Sequence, residues 1–124
     1  MTSISRRGFG GLFGASALGL AMPSLAFGAV PKVVVIGGGA GGATAARYIA
    51  KDSKGAIDVT LVEASKRYYT CFFSNLYLGG FRDYDSIGHG YDQLAANHRV
   101  NVVHEWASSV DNAGKMVKLA SGGT

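Results

Sequence analysis

From Val33 to Ile36 the chain sets four β-branched apolar residues side by side without a polar interruption. So short and uniform a run predicts a strand of a parallel sheet, covered on both faces. Beyond six small residues, Gly37 to Gly42, the period changes, and Ala46, Ile49 and Ala50 fall on one face of a helix. IDVTLVE, Ile57 to Glu63, predicts a second strand that closes on a carboxylate. Further on, a short helix is expected around Tyr91 to Ala96 and a third strand over VNVVHEWASSV, Val100 to Val110. Asp111-Asn112-Ala113-Gly114 then signals a turn, with KMVKLA, Lys115 to Ala120, as the return strand of a hairpin. The βαβ order followed by a β-hairpin is that of an α/β chain, an incomplete Rossmann-like domain with a crossover still to come.

Ahead of this lies a stretch of another kind. Ser5-Arg6-Arg7-Gly8-Phe9 opens an uncharged, glycine-diluted apolar run that closes on the small residues Ala26, Gly28 and Ala29. That is the layout of a signal peptide, and the paired arginines point to the twin-arginine route and thus to the periplasm. Residues 1–28 are therefore expected to be removed, leaving 31–124 as the truncated N-terminal part of the Rossmann-like domain. The glycines and Pro23 make a poor spanning helix, so no stable membrane insertion is expected. Of 12 basic residues Arg6 and Arg7 leave with the leader, so the net charge falls from +4 to +2. The remaining lysines and arginines are scattered among acids, which excludes nucleic acid as a partner. A hydrophobic fraction of 48% speaks for a globular chain.

Candidate chemistry starts at Gly37-x-Gly39-x-x-Gly42, between the first strand and the helix. Gly37 permits the sharp turn, Gly39 lets main chain approach a pyrophosphate, and Gly42 lets the helix pack closely on the sheet. The diphosphate would meet free N–H groups and the positive end of the helix dipole. Glu63 stands 21 residues past Gly42, where an acid can accept hydrogen bonds from ribose hydroxyls and repel a 2′-phosphate. The loop serves NAD and FAD alike. Export chooses between them, because a protein folded before transport carries a tightly held flavin, whereas a soluble nicotinamide pool is not expected outside the cytoplasm.

Cys71, the one cysteine, sits in YYTCFFSN. On its residues alone it reads as a small buried apolar group. A single cysteine closes no disulfide within the chain. His89, His98 and His104 fall in unrelated elements at no ligand spacing, so no metal site is predicted. Trp106 is expected to pack, and Tyr68 and Tyr69 to cover a core edge or to flank a cofactor ring.

KVVVIGGGAGGATAARYI, VTLVEASKRYYTCFFSNLYLGG, SIGHGYDQL and VNVVHEWASSVDNAGKMVKLASGG together resemble the N-terminal part of the flavoprotein subunit of flavocytochrome c sulfide dehydrogenase. The glycine loop is generic to a large flavoprotein superfamily, whereas YYTCxxSN is far narrower. The resemblance implies a glutathione-reductase-like fold, a periplasmic location, FAD, oxidation of sulfide, and electron transfer to a c-type cytochrome subunit. It also implies that Cys71 joins the 8α-methyl of the isoalloxazine as a thioether, with Arg67 or a helix terminus favouring the thiolate. His89, in HGYD, becomes a candidate flavin-side contact. The redox-active cysteine pair of the family would come from further along the polypeptide, so no catalytic residue is expected within these 124 and the stretch alone is expected to be inactive. Two other readings stay open: a related FAD-dependent oxidoreductase such as a sulfide:quinone reductase or a nicotinamide-linked enzyme, and a small exported nucleotide-binding module complete at Thr124.

Overall fold

Residues 28–124 are described by the computed structural model, and nearly all of the expected leader lies outside the described residues. In chain order the elements are β1 (Lys32–Ile36), α1 (Ala40–Asp52), β2 (Asp58–Val62), β3 (Arg67–Tyr69) and α2 (Ser74–Leu78). A 3-10 turn over Tyr84–Ile87 leads to β4 (Gly88–Gly90), α3 (Asp92–His98), β5 (Asn101–Val103), β6 (Ala107–Asp111) and β7 (Met116–Leu119).

Strands β1 and β2 run parallel in the register Lys32↔Asp58 to Ile36↔Val62, and β5 joins the far side of β2 with Leu61 opposite Val102. The sheet order is thus β1-β2-β5, with α1 as the crossover between its first two strands. Period-two alternation sends Val35, Val59, Leu61 and Val102 to one side, where Ala46, Ile49 and Ala50 of α1 and Leu94 of α3 close over them. Ala46 and Leu61 are fully buried, with Tyr91 and Val100 completing the cluster. The apolar face expected for the helix is therefore the face that packs.

Burial of β1 on both faces is not observed. Val34 and Ile36 point to the opposite side and remain 44% and 50% exposed, because α1 and α3 lie on one face and β1 is an edge strand of this sheet. The single third strand is also corrected. Its first part, β5, stays in the parallel sheet, while β6 leaves it to pair antiparallel with β7. The two pairings use different residues, Asn101–Val103 and Ala107–Asp111, and the chain leaves the sheet between them at 104–106. There Trp106 is 73% exposed rather than packed. The turn lies where expected: Asp111 Oδ1 accepts the N–H groups of Ala113 (3.0 Å) and Gly114 (2.9 Å).

The short pair β3–β4 was not anticipated. It aligns Tyr68 with His89 and Tyr69 with Gly88, and its Tyr68 ring packs on the main core cluster. Through that contact the segment around Cys71 is tied to the glycine loop.

Candidate functional site

Main-chain geometry builds this site. Gly37, at φ +93°, takes the left-handed turn that ends β1, and its N–H donates to the Val62 carbonyl at 2.9 Å. A Cβ on Gly42 would overlap the carbonyl oxygen of Gly37, so the first turn of α1 can lie against the loop only if position 42 lacks a side chain. Gly39 caps the helix, and its carbonyl accepts the Ala43 N–H at 2.9 Å. The N–H groups of Gly39, Ala40, Gly41 and Gly42 precede that first helical bond, and an α-helix offers such groups no carbonyl one turn back. No acidic side chain stands in the first turn to neutralise the positive end of the helix.

Glu63, at the end of β2, lies against this loop. Its Oε2 accepts the Gly38 N–H at 2.6 Å and its Oε1 accepts the Ser65 N–H at 2.8 Å. Partial burial pushes its pKa up. The two N–H donors, the Ser65 side chain and the nearby His104 outweigh that, so the carboxyl titrates below its ordinary value of 4.5. A carboxylate has about four acceptor sites, so one held by two donors keeps capacity for ribose hydroxyls. His104 sets a ring nitrogen 3.2 Å from the Glu63 carbonyl oxygen, beside the carboxylate rather than in any metal cluster. The structure thus brings Gly37, Gly39, Gly42 and Glu63 together. The four donors and the acid fit a nucleotide diphosphate and its ribose, and the gap that glycine leaves at Gly39 admits close main-chain approach.

One residue of the site escaped the sequence pattern. Tyr91, buried at the start of α3, donates its hydroxyl to the Gly38 carbonyl at 2.9 Å. Its ring also fills the space beside Gly38, where an added Cβ would come within 2.6 Å of the hydroxyl oxygen. Burial, the Glu63 charge and Tyr68 all push the Tyr91 pKa up, so the phenol stays a proton donor at neutral pH. Gly38 was visible as a member of the glycine run, but nothing in local spacing marked Tyr91.

Cys71 is exposed, which overturns the buried reading made from its residues alone. It follows the buried Thr70 at the end of β3, and its carbonyl accepts the Ser74 hydroxyl at 2.8 Å. The chain enters α2 through Phe73 in the left-handed region, φ +64°, leaving Phe72 and Phe73 largely exposed beside the thiol. The Tyr68 ring lies 3.8 Å from where a Cβ on Gly39 would be, and Cys71 follows Tyr68 by three residues, at most about 11 Å from it between Cα atoms. Arg67 is engaged with Asp85 (3.8 Å) and the Gly88 carbonyl (3.2 Å), holding the β3–β4 segment. Tyr69 stacks on Tyr84 at 4.3 Å between ring centroids, and so does not pack into the core as Tyr68 does. His89 borders two clefts of about 390 and 250 Å³, one lined by Arg47 and His98 and the other by Thr70 and Arg82. Among the described residues no cluster of potential metal ligands occurs and no helix is long and apolar enough to cross a membrane.

A family model described as pyridine nucleotide-disulphide oxidoreductase matches residues 31–123. Over 44 residues, 36% of this chain and 90% of the relative, the sequence is 52% identical to a sulfide dehydrogenase (flavocytochrome c) flavoprotein chain from Chlorobaculum thiosulfatiphilum. Among solved structures, the sulfide:quinone oxidoreductase of the hyperthermophilic bacterium Aquifex aeolicus superposes with a TM-score of 0.65 at 26% identity, covering 74% of this chain and 21% of that one. An NAD-dependent persulfide reductase from A. fulgidus gives 0.61 at 27% identity, covering 71% and 18%. The chain spans about a fifth of the length of these solved relatives.

Proposed function

The chain belongs to the pyridine nucleotide-disulphide oxidoreductase family, and from that premise we propose that it is the FAD-binding N-terminal part of a sulfide dehydrogenase flavoprotein. In this reading the whole protein oxidises sulfide and passes electrons through its flavin to a c-type cytochrome subunit. The observation that carries it is the glycine loop gripped by Glu63 through Gly38, joined to a segment bearing YYTCFFSN and an exposed Cys71. The 52% identity to a flavocytochrome c flavoprotein chain supports the choice within the family.

Each residue has a separate task. The N–H groups of Gly39, Ala40, Gly41 and Gly42 would hold the diphosphate, with Gly37 and Gly42 keeping the turn closed. Glu63 would take the ribose hydroxyls and exclude a 2′-phosphate by charge. The Cys71 thiol is exposed, and we assign it the thioether to the 8α-methyl carbon of the flavin. In that link the thiol S–H and one methyl C–H would be lost, and the two electrons and protons taken up by the flavin itself. When bound, FAD supplies a two-electron acceptor that can release electrons singly. Delivery of the protein to the periplasm by the twin-arginine route belongs to the same reading and rests on Arg6 and Arg7.

Purification of the full-length polypeptide from its own host tests this. A yellow protein is expected that keeps its colour in an acid-precipitated pellet and copurifies with haem absorbance. A colourless protein would end the reading. The likeness to the Aquifex enzyme favours a second one, in which electrons go to a quinone. Sulfide-dependent reduction of a soluble quinone, with cytochrome c left oxidised, would decide for it.

A further inference from the structure

We propose that Tyr91 is the positioning residue that aims the Gly39 N–H at the cofactor diphosphate. The inference rests on the FAD reading above and adds a residue 53 positions from the loop it serves. A trans peptide is planar, so fixing its carbonyl also fixes the N–H on the opposite side of the same plane. Two successive planes are held in this way. The Gly37–Gly38 plane is held by Glu63 on its N–H, while its carbonyl abuts Gly42. The Gly38–Gly39 plane is held by the Tyr91 hydroxyl on its carbonyl, which turns the Gly39 N–H away from Tyr91.

No hydrogen bond among the described residues takes the Gly39 N–H. As the cap of α1, Gly39 presents it with the three orphan donors of the first turn. Without the hydroxyl, a glycine-flanked plane would sample other orientations, and the donor would have to be ordered when the ligand binds. Tyr91 is suited to this work because its ring is buried in the core cluster and the missing side chain at Gly38 leaves it room. The loop is thereby anchored to the hydrophobic core by its first carbonyl after the turn.

The test compares Tyr91→Phe with the parent in the full-length polypeptide, both carrying Cys71→Ser so that flavin can be removed and rebound. Affinities are measured for FAD, ADP and adenosine, together with the 31P resonances of bound FAD. The variant is expected to bind FAD and ADP about three- to tenfold more weakly, the worth of one hydrogen bond. Adenosine affinity should stay unchanged, and at least one diphosphate resonance should move. Gly38→Ala, which displaces the ring, should show the same ligand selectivity. Equal weakening for all three ligands would reduce Tyr91 to a packing residue, and unchanged FAD affinity with unmoved resonances would overturn the proposal outright. Absence of flavin from the full-length polypeptide with Cys71 intact would instead sink the cofactor reading, so the two failures are distinguishable.

Discussion

Glu63 shows how much a single side chain depends on its partners. Partial burial opposes its charge, and the N–H groups of Gly38 and Ser65 restore it. Because the folded pKa is lowered, the stability this group contributes is present above its ordinary value of 4.5 and is lost as pH falls through the lowered folded value. The stability gap between the full-length protein and its Glu63→Gln variant should therefore be about 1 kcal/mol near neutrality and should shrink on acidification toward pH 3, followed by urea midpoints. A gap that widened in acid would contradict the assignment. Gly42→Ala meets main chain rather than a flexible side chain, because its Cβ overlaps the Gly37 carbonyl. It should cost about 1–3 kcal/mol and lower FAD affinity at least tenfold in a rebinding titration. Cys71→Ser should leave the fold intact and move the yellow colour from the acid pellet to the supernatant, since a serine hydroxyl is too weak a nucleophile to form the link.

Between elements, what decides the geometry is which face a strand turns to its neighbours. Leu61 lies under α1 with no exposed surface, so Leu61→Ala should destabilise the protein by about 2–5 kcal/mol, read from urea unfolding with an unchanged m-value. Strand β1 was legible as an unbroken β-branched run before a glycine turn, α1 and β2 because each is long enough for its pattern to show, and the β6–β7 turn because Asp111 carries the local chemistry. Strands β3 and β4 were not, since three residues cannot establish an alternation. The break between β5 and β6 was hidden for another reason: His104-Glu105-Trp106 carries no glycine, proline or Asx turn signal, so nothing local marks the end of the first pairing. Trp106 was misplaced with it, because its exposure follows from the chain's departure from the sheet.

Across the whole described chain, the core occupies one side of a three-stranded sheet and the other side is open. Val34 and Ile36 on that side, with Phe72, Leu78 and Phe81 near the β3 segment, leave more apolar surface exposed than a lone soluble domain usually tolerates. With β1 an edge strand and a net charge of only +2, a polypeptide limited to residues 31–124 should bind an apolar dye and self-associate with rising concentration. Replacing Val34 and Ile36 by threonine should weaken both effects, as light scattering and dye fluorescence would report. An isolated segment that stayed monomeric at high concentration without binding dye would refute this view of the open face.

The sequence by itself settled whatever depends on neighbouring residues: a strand, a glycine turn and a helix in that order, the need for glycine at positions 37 and 42, and an acid where the next strand ends. Periodicity and backbone sterics act within a few residues and are written in the local order. Tertiary structure alone decided that Glu63 would take the Gly38 N–H across 25 positions, that Tyr91 would take its carbonyl across 53, and that one face of β1 would stay open. Those outcomes follow from strand register and from which helix packs on which face, and no contiguous stretch of residues encodes them.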